Sequence, residues 1–538
     1  MGSTRSISDV QDILYAVFPH LNPDDYASVN EIVSVRRTLL QAALTCKTMT
    51  RPALSVLWRS LPSDRPLLAL LSAYGIVREP SSEIDLEDGP FQDASYVSRP
   101  TKHYIFSSDA NPLEQVLCNA TEDPRNHPQW ERFQEYAIQV RRIKLTVTTA
   151  PISAPWREMA NLMEGYSILP LLDAVSLYGH GIRVLNPGGL SLISASVHEL
   201  SFHLVISDSD QDGIQALFLE AIEAAPHLER LHLFAPLLDP QALHALQRRE
   251  RLRSLAIKSQ IQAVALQPLS QLPNLETLSV CVGEEIPPVD LQLPAVRDLE
   301  LKRCDWTNVD SFLANTDLPS LRSLTFSKIE HGPERLIHDG AQSFRTLSAK
   351  HPHITSLSIN CVSNAQLPFH HTYEPLPTGG TLMSMVEPLL SLHALRDVRL
   401  RFRIYLFDYT SADIRAFAEA WRDLETFQLE MVTREGPGCR AGFESVVHFA
   451  HNCPRLRGLH LPEMQFDLDR EGLEGVVYPE RAHPLREMDV AQVVFPKDMD
   501  LSAEMTEFVR RVFPFAAVPL VEHPIVVTDE SGDWSRLV

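Results

Sequence analysis

The sequence predicts an α/β chain: a small three-helix unit, then an irregular solenoid of short parallel strands and helices. Three observations predict it. Three stretches in the first sixty residues carry apolar side chains at helical spacing. From residue 227 onward one phrase, apolar-x-x-apolar-x-apolar, keeps returning. The segments between its copies have helical rather than alternating spacing.

The first helix opens at Ser8, with Gln11 three places on in the form of a capping box. Ile13, Leu14, Val17, Phe18 and Leu21 form its apolar stripe, and Asn22-Pro23-Asp24-Asp25 stops it. Residues 23–37 read as a linker. A second helix carries Leu39, Leu40, Ala43 and Leu44. A third begins near Thr50-Arg51-Pro52, where proline suits the first turn. It sets Leu54, Leu57, Trp58 and Leu61 on one face before Pro62. Three such helices make a small core for a free-standing domain, so the unit is expected to complete itself against a partner.

The phrase reads HLERLHL at 227–233, RLRSLAI at 251–257, NLETLSV at 274–280, AVRDLEL at 295–301 and SLRSLTF at 320–326. Further copies are HITSLSI at 353–359, ALRDVRL at 394–400, DLETFQL at 423–429, RLRGLHL at 455–461 and PLREMDV at 484–490. Weaker copies stand at 140–145 and 197–202. The first apolar positions, from Leu228 on, step by 24, 23, 21, 25, 33, 41, 29, 32 and 29 residues. Packing explains the repetition. The last two apolar residues point inward on a short strand, and no single repeat can bury them alone, so neighbours stack. The inward set is Leu231, Leu233, Leu255, Ile257, Leu278, Val280, Leu324, Phe326, Leu357, Ile359, Leu459 and Leu461. Helices are expected over 213–225, 412–422 and 441–452, and loops over 79–100, 362–381 and 471–484. Trp306 and Trp421 read as packing residues.

This spacing is similar to that of leucine-rich repeats, in a degenerate form. The resemblance implies a horseshoe with parallel strands inside and helices outside. The N-terminal runs ILYAVFPHL and LLQAALTCKTMTRPALSVLWRSL resemble a fungal-type F-box. That resemblance implies binding to the SKP-type adaptor of a cullin–RING ubiquitin ligase, with contacts from Leu14, Val17, Phe18, Leu40, Leu44, Leu57 and Trp58. The repeat domain would then hold a target protein, and the chain would recruit substrate without enzymatic chemistry of its own. The alternative is a leucine-rich-repeat interaction scaffold without a ligase role, its N-terminal helices a cap. The expected divisions are a helical domain at 1–65, an irregular linker at 66–135, the solenoid at 136–513 and a tail at 514–538.

The residue between the two inward positions of each phrase points to the concave face. This places His232, Ser279, Glu300, Thr325, Ser358, Arg399, Gln428, His460 and Asp489 there. Arg399, Arg401 and Arg403 take alternate places on one strand and share that face. Such a row suits an acidic or phosphorylated segment of a target, unless Glu430 or Asp397 neutralises it.

The net charge of −21 disfavours nucleic acid and anionic membranes as partners. Seven scattered cysteines without a CxxC pair are expected to be free thiols of a reducing compartment, cytoplasmic or nuclear. The N-terminus lacks the apolar core of a secretory signal, and no run of apolar residues is long enough to span a membrane. Met1–Ser6 fits the permissive myristoylation pattern, with no basic stretch to support it. Asp208, Asp210, Asp212 and Gly213 resemble the start of a calcium loop, but Leu219 stands where its bidentate acid belongs. Asp212 reads instead as an acid at a helix start. His370-His371 with Glu374 matches no helical metal pair, and Cys439 has no histidine partner in sequence. No phosphate loop, dinucleotide fingerprint or nucleophile elbow is present. No catalytic residue, metal or cofactor is expected.

Overall fold

The computed structural model describes residues 7–23, 28–77, 123–146, 155–180, 187–205, 211–234, 240–261, 263–283, 290–330, 332–362, 376–433, 440–496 and 501–516. The expected loop at 79–100, the paired histidines, Asp208, Asp210, Cys439 and the tail beyond 516 lie outside these residues. The chain divides into two compact units, residues 1–252 and 253–538.

The first unit opens with α1 (Ile7–Val17), α2 (Val29–Thr45) and α3 (Lys47–Arg59). α2 begins well inside the stretch that reads as a linker. Ser28 and Glu31 cap it reciprocally: the Glu31 amide donates to Ser28 Oγ and the Ser28 amide to Glu31 Oε2, each at 3.2 Å. α3 starts at Lys47 rather than near Thr50, and Pro52 sits inside it. Extended Cys46 ends α2 and begins α3, and the Thr50 hydroxyl donates back to the Ala43 carbonyl at 2.8 Å, tying the corner. Phe18, Leu39, Ala43, Ala53 and Val56 form the core of this bundle.

α3 runs directly into β1 (Ser60–Leu61). After it come α4 (Arg65–Ala73), α5 (Trp130–Ala137), β2 (Arg142–Thr146), α6 (Pro155–Leu162), β3 (Ala174–His180), β4 (Glu199–Val205), α7 (Gln211–Ala224), β5 (Arg230–Leu233) and α8 (Pro240–His244). β1 to β5 pair in chain order, all parallel. Asp212 falls in the first turn of α7, where its charge suits the helix dipole. β3 is a strand that the phrase count passes over, although Leu172, Val175 and Leu177 match the phrase and are buried.

The second unit holds β6 (Ser254–Ile261), β7 (Thr277–Val282), β8 (Leu291–Gln292), β9 (Asp298–Lys302), α9 (Trp306–Asn315), β10 (Thr316–Asp317), β11 (Ser323–Glu330), α10 (Pro333–Lys350) and β12 (Ser356–Val362). It continues through β13 (Leu376–Thr381), α11 (Leu382–Val386), β14 (Asp397–Asp408), α12 (Ser411–Ala420), β15 (Thr426–Thr433), α13 (Val447–Asn452), β16 (Gly458–Gln465), α14 (Arg470–Glu474), β17 (Glu487–Val494) and α15 (Ser502–Val512). β6, β7, β9, β11, β12, β14, β15, β16 and β17 pair as successive parallel neighbours. β8 and β10 form a small parallel pair of their own. β13 and α14 fall in segments that read as loops. The Pro- and Gly-rich β13 pairs with the far end of β14, an addition made by tertiary contact rather than by strand-forming residues.

The inward positions meet in register. Leu255 pairs with Leu278, which pairs with Leu299. Leu299 pairs with Leu324, and Leu324 with Leu357. None of the twelve expected inward residues is more than 2% exposed. The two places before each strand have a fixed task as well. The Glu276 and Thr277 amides both donate to the Arg253 carbonyl, and Arg297 and Asp298 both to Glu276. The same doublet recurs at Arg322 and Ser323 on Arg297, and at Arg396 and Asp397 on Thr355. Each turn into a strand therefore needs the same length of chain, which is why the phrase keeps its spacing while the connections vary. Trp306 lies against Phe326 and Phe344, and Trp421 against Phe417 and Phe427, all in the core.

Candidate functional site

Two surfaces carry the residues that the sequence singles out. The first is on the three-helix bundle, where α3 packs against both α1 and α2. Leu14 and Leu57 are partly buried against the bundle core, and Phe18 lies within it. Val17, Leu40 and Leu44 are exposed, Leu44 by 72%. Trp58 is half-buried, its ring 5.0 Å from that of Tyr136 in α5. The seven residues thus divide into an exposed set and a supporting set.

Ile13 and Val33 join the exposed set, at 52% and 53% exposure. Val33, Leu40 and Leu44 stand seven and four residues apart, one stripe along α2, and Ile13 and Val17 are four apart on α1. Val33 went unnoticed because its segment reads as a linker; the Ser28-x-x-Glu31 signal would have extended the helix to it. Exposed Cys46 closes α2 beyond Leu44. Its thiol is held below the ordinary value by a hydrogen bond with Thr48 at 3.0 Å and by the Met49 amide.

The second surface is the outer face of the parallel strands in unit 253–538. Arg399, Arg401 and Arg403 sit on β14, all on the face away from the buried Val398, Leu400 and Phe402. Glu430 of β15 lies between two of them. Arg403 Nε donates to Glu430 Oε2, and Arg401 Nε lies 3.2 Å from Glu430 Oε1, an ion pair by distance without hydrogen-bond alignment. Arg401 also donates to Gln428 Oε1 at 3.1 Å. Burial alone pushes the Glu430 carboxyl up, but Arg403 and Arg401 outweigh it and hold the group below the usual carboxylate range. Arg399 is exposed.

A second group of cations on this face lies outside the sequence expectation. Lys258 of β6, Lys302 of β9 and Lys328 of β11 lie near one another with Glu300 among them, and Arg303 follows β9. Lys302 Nζ is 2.6 Å from Glu300 Oε2, while Ser279 and Ser327 donate to the same carboxylate at 3.0 and 2.8 Å. These bonds outweigh the effect of burial and keep Glu300 below its ordinary pKa. Arg303, just past β9, and Lys328, at the bulge inside β11, adopt left-handed backbone, φ 50° and 58°. A signal existed: a lysine follows the last apolar position closely in LAIK, LELK and TFSK. Between the two cation groups β12 places Ser356, Ser358 and Asn360 on this face, none of them charged.

In unit 1–252 the corresponding face carries a ring stack. Tyr178 and His203 stack at 4.5 Å and 3°, and His203 and Phe234 at 4.2 Å and 20°. Burial pushes the Tyr178 phenol up.

Among the described residues no group of three or more His, Cys, Asp or Glu could hold a metal ion, and no helix is long and apolar enough to cross a membrane. No family model matches the chain, and no curated protein matches it. Solved structures with a likeness to it include an internalin from Listeria monocytogenes str. 4b F2365, at 14% identity and a TM-score of 0.32, over 65% of this chain and 95% of that one. So distant a likeness assigns no family; the repeat architecture stands on the registers and burial of this chain alone.

Proposed function

We propose that the chain is a leucine-rich-repeat recruiting subunit of a cullin–RING ubiquitin ligase. Its three-helix bundle docks on an SKP-type adaptor, and the outer strand face holds a target protein. The observation that carries this reading is the apolar exposure of the bundle: Ile13, Val17, Val33, Leu40 and Leu44 face solvent on helices whose sequence resembles an F-box. Burying such side chains contributes about 1.5–3 kcal/mol each, ample for a stable contact. The target would meet Arg399, Arg401 and Arg403, whose planar forks suit carboxylates or phosphates.

A second reading rests on a specific observation. The end of the F-box-like run is occupied within the fold: Trp58 lies on Tyr136, and Leu61 of β1 pairs with Ile143 of β2. A cap of a repeat scaffold would look the same at these residues. Such a scaffold has no use for the exposed stripe on α2, and the two readings part there. Full-length chain mixed with an SKP-type adaptor at micromolar concentration should co-elute in gel filtration. Leu40→Glu with Leu44→Glu should abolish this and leave the melting temperature unchanged, since both residues are exposed. Wild-type chain that elutes alone removes the ligase reading and leaves the scaffold.

A further inference from the structure

The two cation groups on the outer strand face of unit 253–538 are joined by one register row. Lys302 of β9 pairs with Ser327 of β11, Ser327 with Asn360 of β12, and Asn360 with Arg401 of β14. Neighbouring strands lie about 4.8 Å apart, so the row sets the roots of Lys302 and Arg401 about 14 Å apart. At one end Lys328, in the β11 bulge, and Arg303, just past β9, add exposed cations. At the other end Arg399 and Arg403 flank Arg401 along β14. Between the ends this row and the one before it are uncharged: Ser327 and Asn360, then Thr325 and Ser358.

Each end already holds a carboxylate of the fold. Lys302, Ser279 and Ser327 hold Glu300, and Arg401 and Arg403 hold Glu430. These two do not balance the face. Among the described residues, Arg303, Lys328 and Arg399 have no carboxylate within ion-pair distance. Asp298 and Asp397 stand two rows back, at the strand starts. Lys258 of β6 senses the excess: burial, then Lys302 and Lys328, hold its ammonium below the usual range, with Glu300 opposing.

We infer that this row takes one extended acidic segment of the target protein, laid across the strands, with two carboxylate clusters about four residues apart. One cluster meets Arg303 and Lys328, the other Arg399 and Arg401. An extended chain advances about 3.3 Å per residue, so four residues span the row. Carboxylates are the chemical class because both ends already coordinate one, through ammonium, hydroxyl and guanidinium donors. The uncharged middle sets Ser358 and Asn360 against peptide backbone rather than against a third charge. The inference rests on the target half of the proposed function and not on its adaptor half.

The test is fluorescence anisotropy on the full chain with three labelled peptides of equal length and composition, glutamates in a proline frame. Two glutamate pairs have their centres about four residues apart in the first and about eight apart in the second; the third has all its glutamates in one run. Proline keeps the spacer extended at about 3.1 Å per residue, so the distance between clusters is set. The four-residue spacing should bind at least about fivefold tighter than either other peptide, because only there can both clusters engage at once. Lys328→Gln with Arg303→Gln should bring that preference within about twofold of unity and leave the melting temperature unchanged, since both residues are exposed. Arg345→Gln, on α10, should bind as wild type does. Binding without regard to spacing, or a preference that survives in the double variant, overturns the inference and leaves β14 alone as the target site. No binding of any peptide removes the target half of the proposed function with it, while adaptor co-elution still tests the other half.

Discussion

Trp58 of α3 and Tyr136 of α5 lie with ring centroids 5.0 Å apart and planes tilted by 54°, joining the bundle to the helix that precedes β2. Such pairs contribute about 0.5–1.5 kcal/mol beyond the area they bury. Tyr136→Ala should therefore lower stability by about 1–2 kcal/mol. It should leave adaptor affinity within about twofold, because the exposed stripe on α2 lies on another helix. Urea denaturation and adaptor titration of the same variant check both halves.

Leu278 is fully buried between Leu255 and Leu299 on adjacent strands. Leu278→Asp places a charge among stacked apolar rows and should cost more than about 4 kcal/mol, the range of uncompensated buried charge. Circular dichroism should show loss of folded unit 253–538. Ser358→Asp, on the outer face of β12, should keep its signal.

Arg399→Glu with Arg401→Glu should remove target binding and spare adaptor binding. Glu430→Gln should strengthen capture of an acidic peptide severalfold, since it releases Arg401 and Arg403 from their shared carboxylate. Both effects should shrink as salt rises. Fluorescence anisotropy with an acidic peptide at 50 and 300 mM salt would check them; unchanged binding in the double variant moves the target site off β14.

His483 is buried, with Nε2 donating to the Cys453 carbonyl at 2.8 Å and Nδ1 accepting the Leu485 amide at 3.2 Å. Burial pushes its imidazole below the ordinary 6.5. The sign follows from which state takes the proton. Below about pH 6.5 the unfolded chain protonates this histidine before the folded chain does. Its stabilising contribution is full above that pH and is lost as pH falls towards the depressed folded value. His351, lowered first by burial and then by Lys350, acts in the same direction. Urea midpoints should fall from pH 7 to pH 5, and less steeply in His483→Gln; equal slopes would contradict the assignment.

Cys46 is exposed and its thiol is lowered, whereas Cys281, Cys304, Cys361 and Cys453 are buried. Burial pushes Cys453 up to about 12. Among the described cysteines, Cys46 should therefore be alkylated first by iodoacetamide at pH 7.5, the thiolate being the reactive form. Adaptor docking on α2 should slow its labelling at least about fivefold, as measured by peptide mass spectrometry; an unchanged rate in the complex places the adaptor elsewhere.

The sequence by itself determined the repeat. Paired apolar positions at near-constant spacing admit one economical solution, stacking on parallel strands, and Leu255, Leu278, Leu299 and Leu324 meet in that register. It also determined the bundle helices, whose stripes follow from helical period. Tertiary structure alone decided the rest. β13 is a strand because β14 offers it an edge, although its own residues disfavour one. Whether Val17 and Trp58 face solvent or protein depends on which neighbour covers them, and α5, about eighty residues away in sequence, covers Trp58. The alignment of Lys302 with Arg401 on one row depends on strands brought together from distant positions. Local periodicity shows which face of an element is apolar, but only packing decides which of those faces stay open and which charges meet.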